Sequence, residues 1–272
     1  MHNDKDRRLV LWIEYDGTEF HGWQIQPGQR TVQSEIEAAL ARMCGENVRT
    51  IASGRTDAGV HALGQVAHFD TSADLKPKKF LLGLNSLLEK DVSIFDCREA
   101  NEPFHAQFDV VRKTYRYRIF TRKGSSALRR SHVWHHRRRL DLERMQAAAA
   151  HFAGERDFAS FCPESIEVSS TVRKLDRLEV SETGDEIWVE VTAEGFLRFM
   201  VRNIVGTLAE VGRGERSPDS IPAILEAHDR NRAGMRAPAQ GLYLVEVDYG
   251  DKLPLPDGDG GPESEGEPYE KT

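Results

Sequence analysis

The segment SGRTDAGVHALGQVAHFDT, residues 53–71, joins a glycine-flanked loop to a run that alternates like a β-strand. Gly54 and Gly59 let the backbone turn sharply and come close to a ligand. Between them, Asp57 can be a nucleophile, a general base, a metal ligand or an Asx-turn residue. The cation of Arg55 favours an ionised carboxylate and can also contact phosphate. The loop is therefore the first candidate site of the chain.

Hydrophobic patterns on either side of the loop predict two βαββαβ halves with extra loops. The first half has strands at residues 9–15, 48–52, 65–69 and 92–97. Its helices run from an N-cap at Thr31 to a stop at Gly45, and over residues 80–88. The second half has strands at residues 113–121, 175–180, 187–193 and 242–249. Its helices run over residues 142–152, closed by Gly154, over residues 200–211, and onward from Ser217.

This order predicts an α+β fold of two split-βαβ (ferredoxin- or RRM-like) halves with mixed, mainly antiparallel sheets. Helices would cover one face and leave the other free to bind a ligand. We place an N-terminal half with the loop at residues 1–104 and a C-terminal half at residues 105–250. Residues 251–272 are rich in Gly, Pro and Glu, which predicts a disordered acidic tail.

Charge is distributed unevenly along the 272 residues, although the net charge is −7. Residues 250–272 hold seven acidic residues and two lysines, whereas residues 110–140 hold eleven Lys or Arg and no acid. The acidic average argues weakly against a nucleic-acid partner. We call the cations of residues 112–139 the basic band. It is either a phosphate-binding surface or a solvated face.

Other composition signals predict a cytoplasmic protein without a metal. Cys44, Cys97 and Cys162 are scattered and form no CxxC pair, so neither a zinc site nor a disulfide framework is indicated. The N-terminal apolar run is too short for a signal peptide, and no later run could span a membrane.

Three short patterns offer weaker chemistry. His61, His68 and Asp70 are the nearest possible metal-ligand partners of Asp57, but they need not share a face. The histidines of the segment HVWHH, residues 132–136, are flanked by arginines that would repel a dication. The segment EYDGT, residues 14–18, resembles the DxDGT signature of aspartyl phosphatases, but Glu14 stands at the nucleophile position. A strand-ending DG turn explains it as well.

Taken together, several segments resemble the tRNA pseudouridine synthase A (TruA) family. GRTDAGVHA at residues 54–62 is similar to its signature, and IEYDGT and GWQ at residues 13–18 and 22–24 are similar to its opening strand. FHA and KTYRY at residues 104–106 and 113–117 resemble its central segment. DF, SF, MVRNIVG and APAQGLYL follow at residues 157–158, 160–161, 200–206 and 237–244. The motifs keep the family's order over roughly residues 8–250.

The resemblance implies an isomerase that converts uridine to pseudouridine at positions 38 to 40 in the anticodon arm of tRNA. It implies a homodimer, no metal, no cofactor, and an RNA-binding cleft between the halves. By matched position, Asp57 is the nucleophile and Arg202 its cationic partner. Tyr115 stacks on the target base, Arg55 holds the flipped-out nucleotide, and Leu242 packs in the pocket.

One departure and two alternatives remain. Arg198 and Phe199 stand where the family pattern has histidines, which puts RNA contacts near the pocket in doubt. Asp57 would attack either the sugar C1′ or the uracil ring, and the sequence does not distinguish them. A non-catalytic RNA-binding protein and an aspartyl phosphatase are the competing functions, disfavoured by the intact Asp57 and Tyr115 and by Glu14, respectively.

Overall fold

The computed structural model describes residues 7–100 and 103–256, and within them ten strands form one sheet. The strands are β1 Arg7–Tyr15, β2 Ile51–Ala52, β3 His61–Thr71, β4 Val92–Glu99, β5 Arg112–Phe120, β6 Trp134–His135, β7 Gly154–Asp157, β8 Val172–Thr183, β9 Glu186–Ala193 and β10 Leu242–Asp248. The α-helices are α1 Val32–Cys44, α2 Pro77–Leu87, α3 Leu142–Ala150, α4 Met200–Gly212 and α5 Ile221–Ala227.

The strand order is β4-β1-β3-β10-β5-β9-β8-β7, with β2 also paired to β3 and β6 to β5. Neighbours are antiparallel except at two places, β10 with β3 and the short β6 with β5. The β10–β3 pair joins the strands of the first and second halves through Tyr243 opposite His61 and Leu244 opposite Ala62. The predicted mixed α+β class with a mainly antiparallel sheet is confirmed.

Strand β3 is longer than the five residues predicted, and nine of its eleven residues are buried. It pairs with β1 along one edge, and with β2 and β10 along the other. A strand enclosed by neighbours in this way loses the alternation that marks a half-exposed strand. Sequence alternation therefore marked its centre but not its ends.

Helix α1 begins and ends where its capping residues predict. Thr31 accepts a hydrogen bond from the backbone N–H of Ser34, and the Ser34 hydroxyl accepts from the Thr31 N–H, which completes a capping box. Gly45 ends the helix with φ 70°, a left-handed conformation that favours glycine. The capping bonds provide partners for backbone groups at the helix ends that have none within the helix.

Some predicted boundaries are wrong. The strand predicted at residues 48–52 is only Ile51–Ala52. Helix α3 ends at Ala150, and Gly154 begins strand β7 instead of closing the helix. Its φ of 80° suits a reversal between the helix and that strand, so the glycine marks the turn and not the helix end.

The chain after β10 turns back onto the body. Gly250–Lys252 form a 3-10 turn, Lys252 pairs with Asp109 at 2.6 Å, and Leu253 is buried. Residues 257–272 of the predicted tail lie outside the described residues. Among the residues that the structure describes, no helix is long and apolar enough to cross a membrane.

Candidate active site

The loop that carries Asp57 lies between β2 and β3 and is fixed by backbone hydrogen bonds. The Ser53 N–H donates to the Val66 carbonyl at 2.8 Å, and the Trp23 N–H donates to the Thr56 carbonyl at 3.1 Å. Within the loop, the Val60 N–H donates to the Asp57 carbonyl at 3.1 Å. Each bond removes freedom from the backbone that presents the carboxylate, which is the pre-organisation a reactive group needs.

Hydrogen bonds from buried side chains also fix the position of this loop. The Tyr15 hydroxyl lies 2.8 Å from the Thr56 hydroxyl, and burial raises the pKa of Tyr15 to about 12. The Ser53 hydroxyl donates to the Gln65 carbonyl oxygen at 2.7 Å, and the Gln65 amide donates to the Gly54 carbonyl at 3.0 Å. Gln65 is fully buried, so these bonds are protected from competing water.

Glycine is required where the loop meets the segment after β1. Gly22 has φ 88°, and a Cβ there would lie 2.6 Å from the Thr56 carbonyl oxygen. Gly59 has φ 78°, and its N–H donates to the Phe20 carbonyl at 3.2 Å. The sequence motif GWQ at residues 22–24 therefore acts as a support for the loop that it contacts.

Asp57 meets Arg202 from the first turns of α4. Arg202 Nη1 lies 3.3 Å from Asp57 Oδ2, and the two side chains are 12% and 28% exposed. Arg202 Nε also donates to the Ala237 carbonyl at 2.8 Å, which fixes the plane of the guanidinium. Burial lowers the pKa of Arg202, and the negative charge of Asp57 opposes this shift. The pair places a guanidinium cation directly against the Asp57 carboxylate.

Tyr115, on β5, lies close enough to Asp57 for the two to interact electrostatically. Burial, and then the charges of Tyr15 and Asp57, raise the pKa of Tyr115 well above its usual value, so its hydroxyl is neutral at physiological pH. The Tyr115 ring meets Phe196 edge to face at a centroid distance of 5.0 Å. The tyrosine therefore presents a fixed, uncharged aromatic ring beside the carboxylate.

Of the two remaining predicted site residues, one is exposed and the other is buried. Arg55 is exposed on the loop that carries Asp57. Leu242 is buried at the start of β10, opposite Tyr117 on β5. Tyr117 in turn donates its hydroxyl hydrogen bond to the Pro238 carbonyl at 2.7 Å. The structure thus brings Asp57, Arg202 and Tyr115 together, with Arg55 on the solvent side and Leu242 in the packed layer.

Two residues near the site were not singled out as site residues by the sequence reasoning. Lys113 Nζ donates to the Ser53 carbonyl at 2.6 Å, at the start of the Asp57 loop. Its position two residues before Tyr115 on a predicted strand was the available signal. Phe199 precedes α4 with φ 62°, a left-handed conformation that is unusual for a bulky side chain.

The Phe199 ring lies among three guanidinium groups. Arg236, Arg198 and Arg202 lie 4.1, 4.6 and 5.7 Å from its centroid. Cation–π contacts at these distances are attractive and help to set where the cations stand. The departure noted at residues 198–199 therefore falls beside the cationic partner of Asp57.

Three of the weaker sequence patterns meet in one cluster. Asp16 Oδ2 lies 3.0 Å from His132 Nε2, and Asp16 Oδ1 lies 3.1 Å from His61 Nδ1. One ligand atom from each of the three residues lies within 4.8 Å of the others, close enough to hold a metal ion. However, His61 Nδ1 accepts from the Gly17 N–H at 3.0 Å and Nε2 faces the Ser131 carbonyl at 3.1 Å. Burial also lowers the pKa of His61, which favours the neutral ring.

The other residues weighed for metal or phosphatase chemistry have structural partners. His68 Nδ1 accepts from the Ala106 N–H at 3.1 Å, and burial lowers its pKa to about 4. Asp70 pairs with Arg8 at 2.7 Å. Asp16 accepts from the Thr18 N–H at 3.0 Å, which is the strand-ending turn weighed against the phosphatase motif.

The basic band divides into paired and exposed cations. On β5, Arg116 and Arg118 form ion pairs with Glu190 at 3.1 Å and Glu186 at 2.7 Å. After β5, the exposed cations are Arg122, Lys123, Arg129, Arg130, Arg137, Arg138 and Arg139. Arg129 shares Glu186 with Arg118. The part of the band that can meet an external anion is therefore mainly residues 122–139.

Comparison with known proteins identifies the family of the chain. A family model described as tRNA pseudouridine synthase matches residues 11–109 and 148–250. A protein from Geotalea uraniireducens (strain Rf4) named tRNA pseudouridine synthase A is 50% identical over 243 residues, 89% of this chain and 100% of that protein. A protein of the same name from Bacillus subtilis (strain 168) is 44% identical over 244 residues, 89% of this chain and 99% of that protein.

A more distant likeness is found among solved structures. A chain described as "Crystal Structure of a Cbf5-Nop10-Gar1 Complex" aligns with a TM-score of 0.32 and 15% identity, over 86% of this chain and 57% of that chain. This likeness is too weak to add to the family match.

Proposed function

The chain belongs to the tRNA pseudouridine synthase family, and on that premise we propose that it isomerises uridine at positions 38 to 40 of the tRNA anticodon stem-loop with Asp57 as the nucleophile. Enzymes of this family are isomerases. The observation that carries the proposal is the Asp57–Arg202 pair at 3.3 Å, formed between the two halves of the chain beside the ring of Tyr115.

The reaction needs the target base outside the helical stack, because its glycosidic bond is not accessible inside it. Asp57 attacks C1′ of the ribose or the uracil ring. The C1′–N1 bond breaks, the uracil rotates, and a C1′–C5 bond forms. The bond to Asp57 breaks in the same sequence, which returns the free carboxylate. The C5 proton leaves to solvent and N1 takes up a proton. The change is redox-neutral and occurs within one nucleotide, so the proposal includes no cofactor.

Each site residue has a proposed part in this sequence. Arg202 pairs with the Asp57 carboxylate and holds it in place. Tyr115 provides the ring on which the flipped uracil stacks, which is worth about 1–3 kcal/mol per base. Arg55, exposed on the Asp57 loop, contacts the backbone of the flipped nucleotide. Leu242 packs beneath the pocket next to Tyr117. The exposed cations of residues 122–139 bind tRNA phosphates.

The architecture supports a finer proposal about the fold. In the first half the order β4-β1-β3-β2 places the first strand between the last and the third, and β10-β5-β9-β8 repeats this in the second half. We propose two split-βαβ halves, at residues 1–104 and 105–250, with helices on one face and the RNA-binding cleft where the halves meet. A homodimer and a cytoplasmic location belong to the same proposal.

Release of tritium from uridine labelled at C5 in tRNA tests this function. The wild-type protein is expected to release tritium from folded tRNA that carries uridine at position 38, 39 or 40, and not from tRNA whose uridines lie only elsewhere. Tight tRNA binding without release would favour the non-catalytic RNA-binding alternative. Release from uridines outside the anticodon arm would contradict the proposed positions while leaving the isomerase itself intact.

A further inference from the structure

Lys113 places a cation at the start of the Asp57 loop. Its ammonium donates to the Ser53 carbonyl at 2.6 Å, and a Cβ at Gly54 would lie 2.9 Å from Nζ. The ammonium is therefore packed against the backbone that leads into the loop. A side chain at position 54 would force the ammonium to move from this place.

The surroundings of Lys113 are mostly apolar. On β5 it lies opposite Ala193 of β9 and Val247 of β10, neither of which carries a charge. Two tyrosines belong to the same region: Tyr115, two residues along the strand, and Tyr249, which interacts with Ser53. Within residues 7–100 and 103–256, no carboxylate forms an ion pair with it. Burial alone lowers the pKa of Lys113, to about 8.

A buried cation without a carboxylate is costly, and such groups are usually paired. The ammonium has three N–H donors, and the Ser53 carbonyl takes one of them. Lys113 is partly exposed, and within residues 7–100 and 103–256 the Ser53 carbonyl is the one hydrogen-bond acceptor found for its ammonium. At pH 7 the group stays largely protonated because its pKa of about 8 lies above that pH.

We propose that Lys113 binds a backbone phosphate next to the flipped uridine and so positions the target nucleotide over Tyr115 and Asp57. Lys113 and Tyr115 are two residues apart on one strand, which puts their side chains on the same face with a separation of about 7 Å along the strand. A base stacked on Tyr115 therefore brings its flanking phosphate toward Nζ. This inference rests on the proposed function.

Proton uptake should be linked to tRNA binding at this group. A phosphate near the ammonium stabilises the charged form and raises its pKa in the complex. The free protein loses the charge as the pH rises through about 8. The apparent kcat/KM, which reports on the free protein, should therefore fall above that pH, whereas kcat should fall only at higher pH.

The experiment combines protein and RNA variants in the tritium-release assay. The protein variants are Lys113→Met and the control Lys79→Met, which changes an exposed lysine of α2. The RNA variants are tRNAs assembled with a neutral methylphosphonate on the 5′ or the 3′ side of the target uridine. Lys113→Met is expected to lower kcat/KM roughly ten- to a hundredfold, the range for losing a hydrogen bond to a charged group.

Non-additivity identifies the contact. One methylphosphonate should lower kcat/KM of the wild type and of Lys79→Met by a similar factor, and should have little further effect in Lys113→Met. The fall of kcat/KM above pH 8 should be lost only in Lys113→Met. Additive losses at both phosphates, or a Lys113→Met variant as active as the wild type, would overturn the proposal. If the wild type releases no tritium from any tRNA, the proposed function itself fails.

Discussion

The Asp57 loop and the exposed part of the basic band are built in opposite ways. The loop is short and is held by backbone bonds, by the buried Gln65 and by the ion pair with Arg202. Residues 122–139 carry seven exposed cations, and Arg137, Arg138 and Arg139 follow one another with their side chains in solvent. Chemistry on a single bond needs one fixed geometry. Attraction of a polyanion needs charge and reach, and tolerates local freedom.

This comparison predicts how the two regions fail when they are changed. Changes in the loop should lower turnover and leave tRNA affinity in place. Changes in the exposed basic band should lower affinity and leave turnover at saturating tRNA in place. A variant that moves both quantities together would show that the two regions are not separable.

The largest effect is expected for Asp57→Asn. The amide is nearly isosteric, so the backbone bonds of the loop should persist, but the charge and the nucleophilic oxygen are lost. Turnover should fall on the order of 10⁴-fold or more, to below detection. Affinity for tRNA should persist or rise slightly, because a negative charge leaves the site. Tritium release and filter binding on one preparation measure both quantities.

Asp74→Asn is the matched control, because Asp74 is an exposed carboxylate after β3. It should behave as the wild type in both assays. Measurable turnover in Asp57→Asn would reject Asp57 as the nucleophile. Joint loss of turnover and binding would assign the loop to RNA binding or to structure.

Tyr115 should give the next largest effect, and two variants separate its ring from its hydroxyl. Tyr115→Phe keeps the ring and should keep tRNA binding and most turnover. Tyr115→Leu loses the stacking platform, worth about 1–3 kcal/mol, and should lose roughly ten- to a hundredfold in turnover. Single-turnover tritium release with each variant measures this difference. Equal inactivity of the two variants would mean that the buried hydroxyl takes part in the chemistry.

The sequence predicted the Asp57 loop better than it predicted the loop's surroundings. Gly54, Asp57 and Gly59 form a pattern within one short segment, and it predicts a turn from backbone geometry alone. In the structure these residues lie in one loop between β2 and β3. The capping residues Thr31 and Gly45 are predictable for the same reason, since each acts within one turn of its own helix. Features that depend on nearby residues alone can be read from one segment.

Contacts between distant segments could not be derived from local patterns. The Asp57–Arg202 pair spans 145 residues, and its position was expected only from the resemblance to a family. The links of Lys113 with Ser53, and of His132 with Asp16, depend on how β5, β3 and β10 lie beside one another. Periodicity does not encode that arrangement. The two parts of the sheet are joined by the parallel pairing of β10 with β3, which are strands far apart in the sequence.

A smaller effect is expected for Arg137→Gln, Arg138→Gln and Arg139→Gln combined. If these exposed cations contact phosphates, affinity should fall roughly tenfold at low salt, and the salt dependence should weaken by about one unit of slope per lost contact. Turnover at saturating tRNA should not change. Filter binding over a salt series, together with tritium release, tests both statements.

The combined change of Lys76, Lys78 and Lys79 to Gln is the charge-matched control, since all three are exposed around the start of α2. It removes the same charge from the N-terminal half. Equal loss of affinity in both triple variants would mean that net charge, and not the basic band, attracts the tRNA.

We expect chelation of metal ions to have no effect. This experiment tests the cluster of Asp16, His61 and His132, which lies where the Asp57 loop meets the basic band. Asp16 and His61 lie beside the Asp57 loop, whereas His132 belongs to the basic band. We expect a hydrogen-bonded junction, because His61 already accepts from Gly17 with one nitrogen and faces the Ser131 carbonyl with the other. A metal would have to displace the Gly17 amide, and the arginines of the band oppose a dication.

Exhaustive chelation, with the tRNA refolded afterwards, should therefore leave tritium release and tRNA affinity unchanged. A different outcome would be loss of tritium release that zinc restores and that refolding the tRNA does not restore. That outcome would establish a metal site formed by Asp16, His61 and His132.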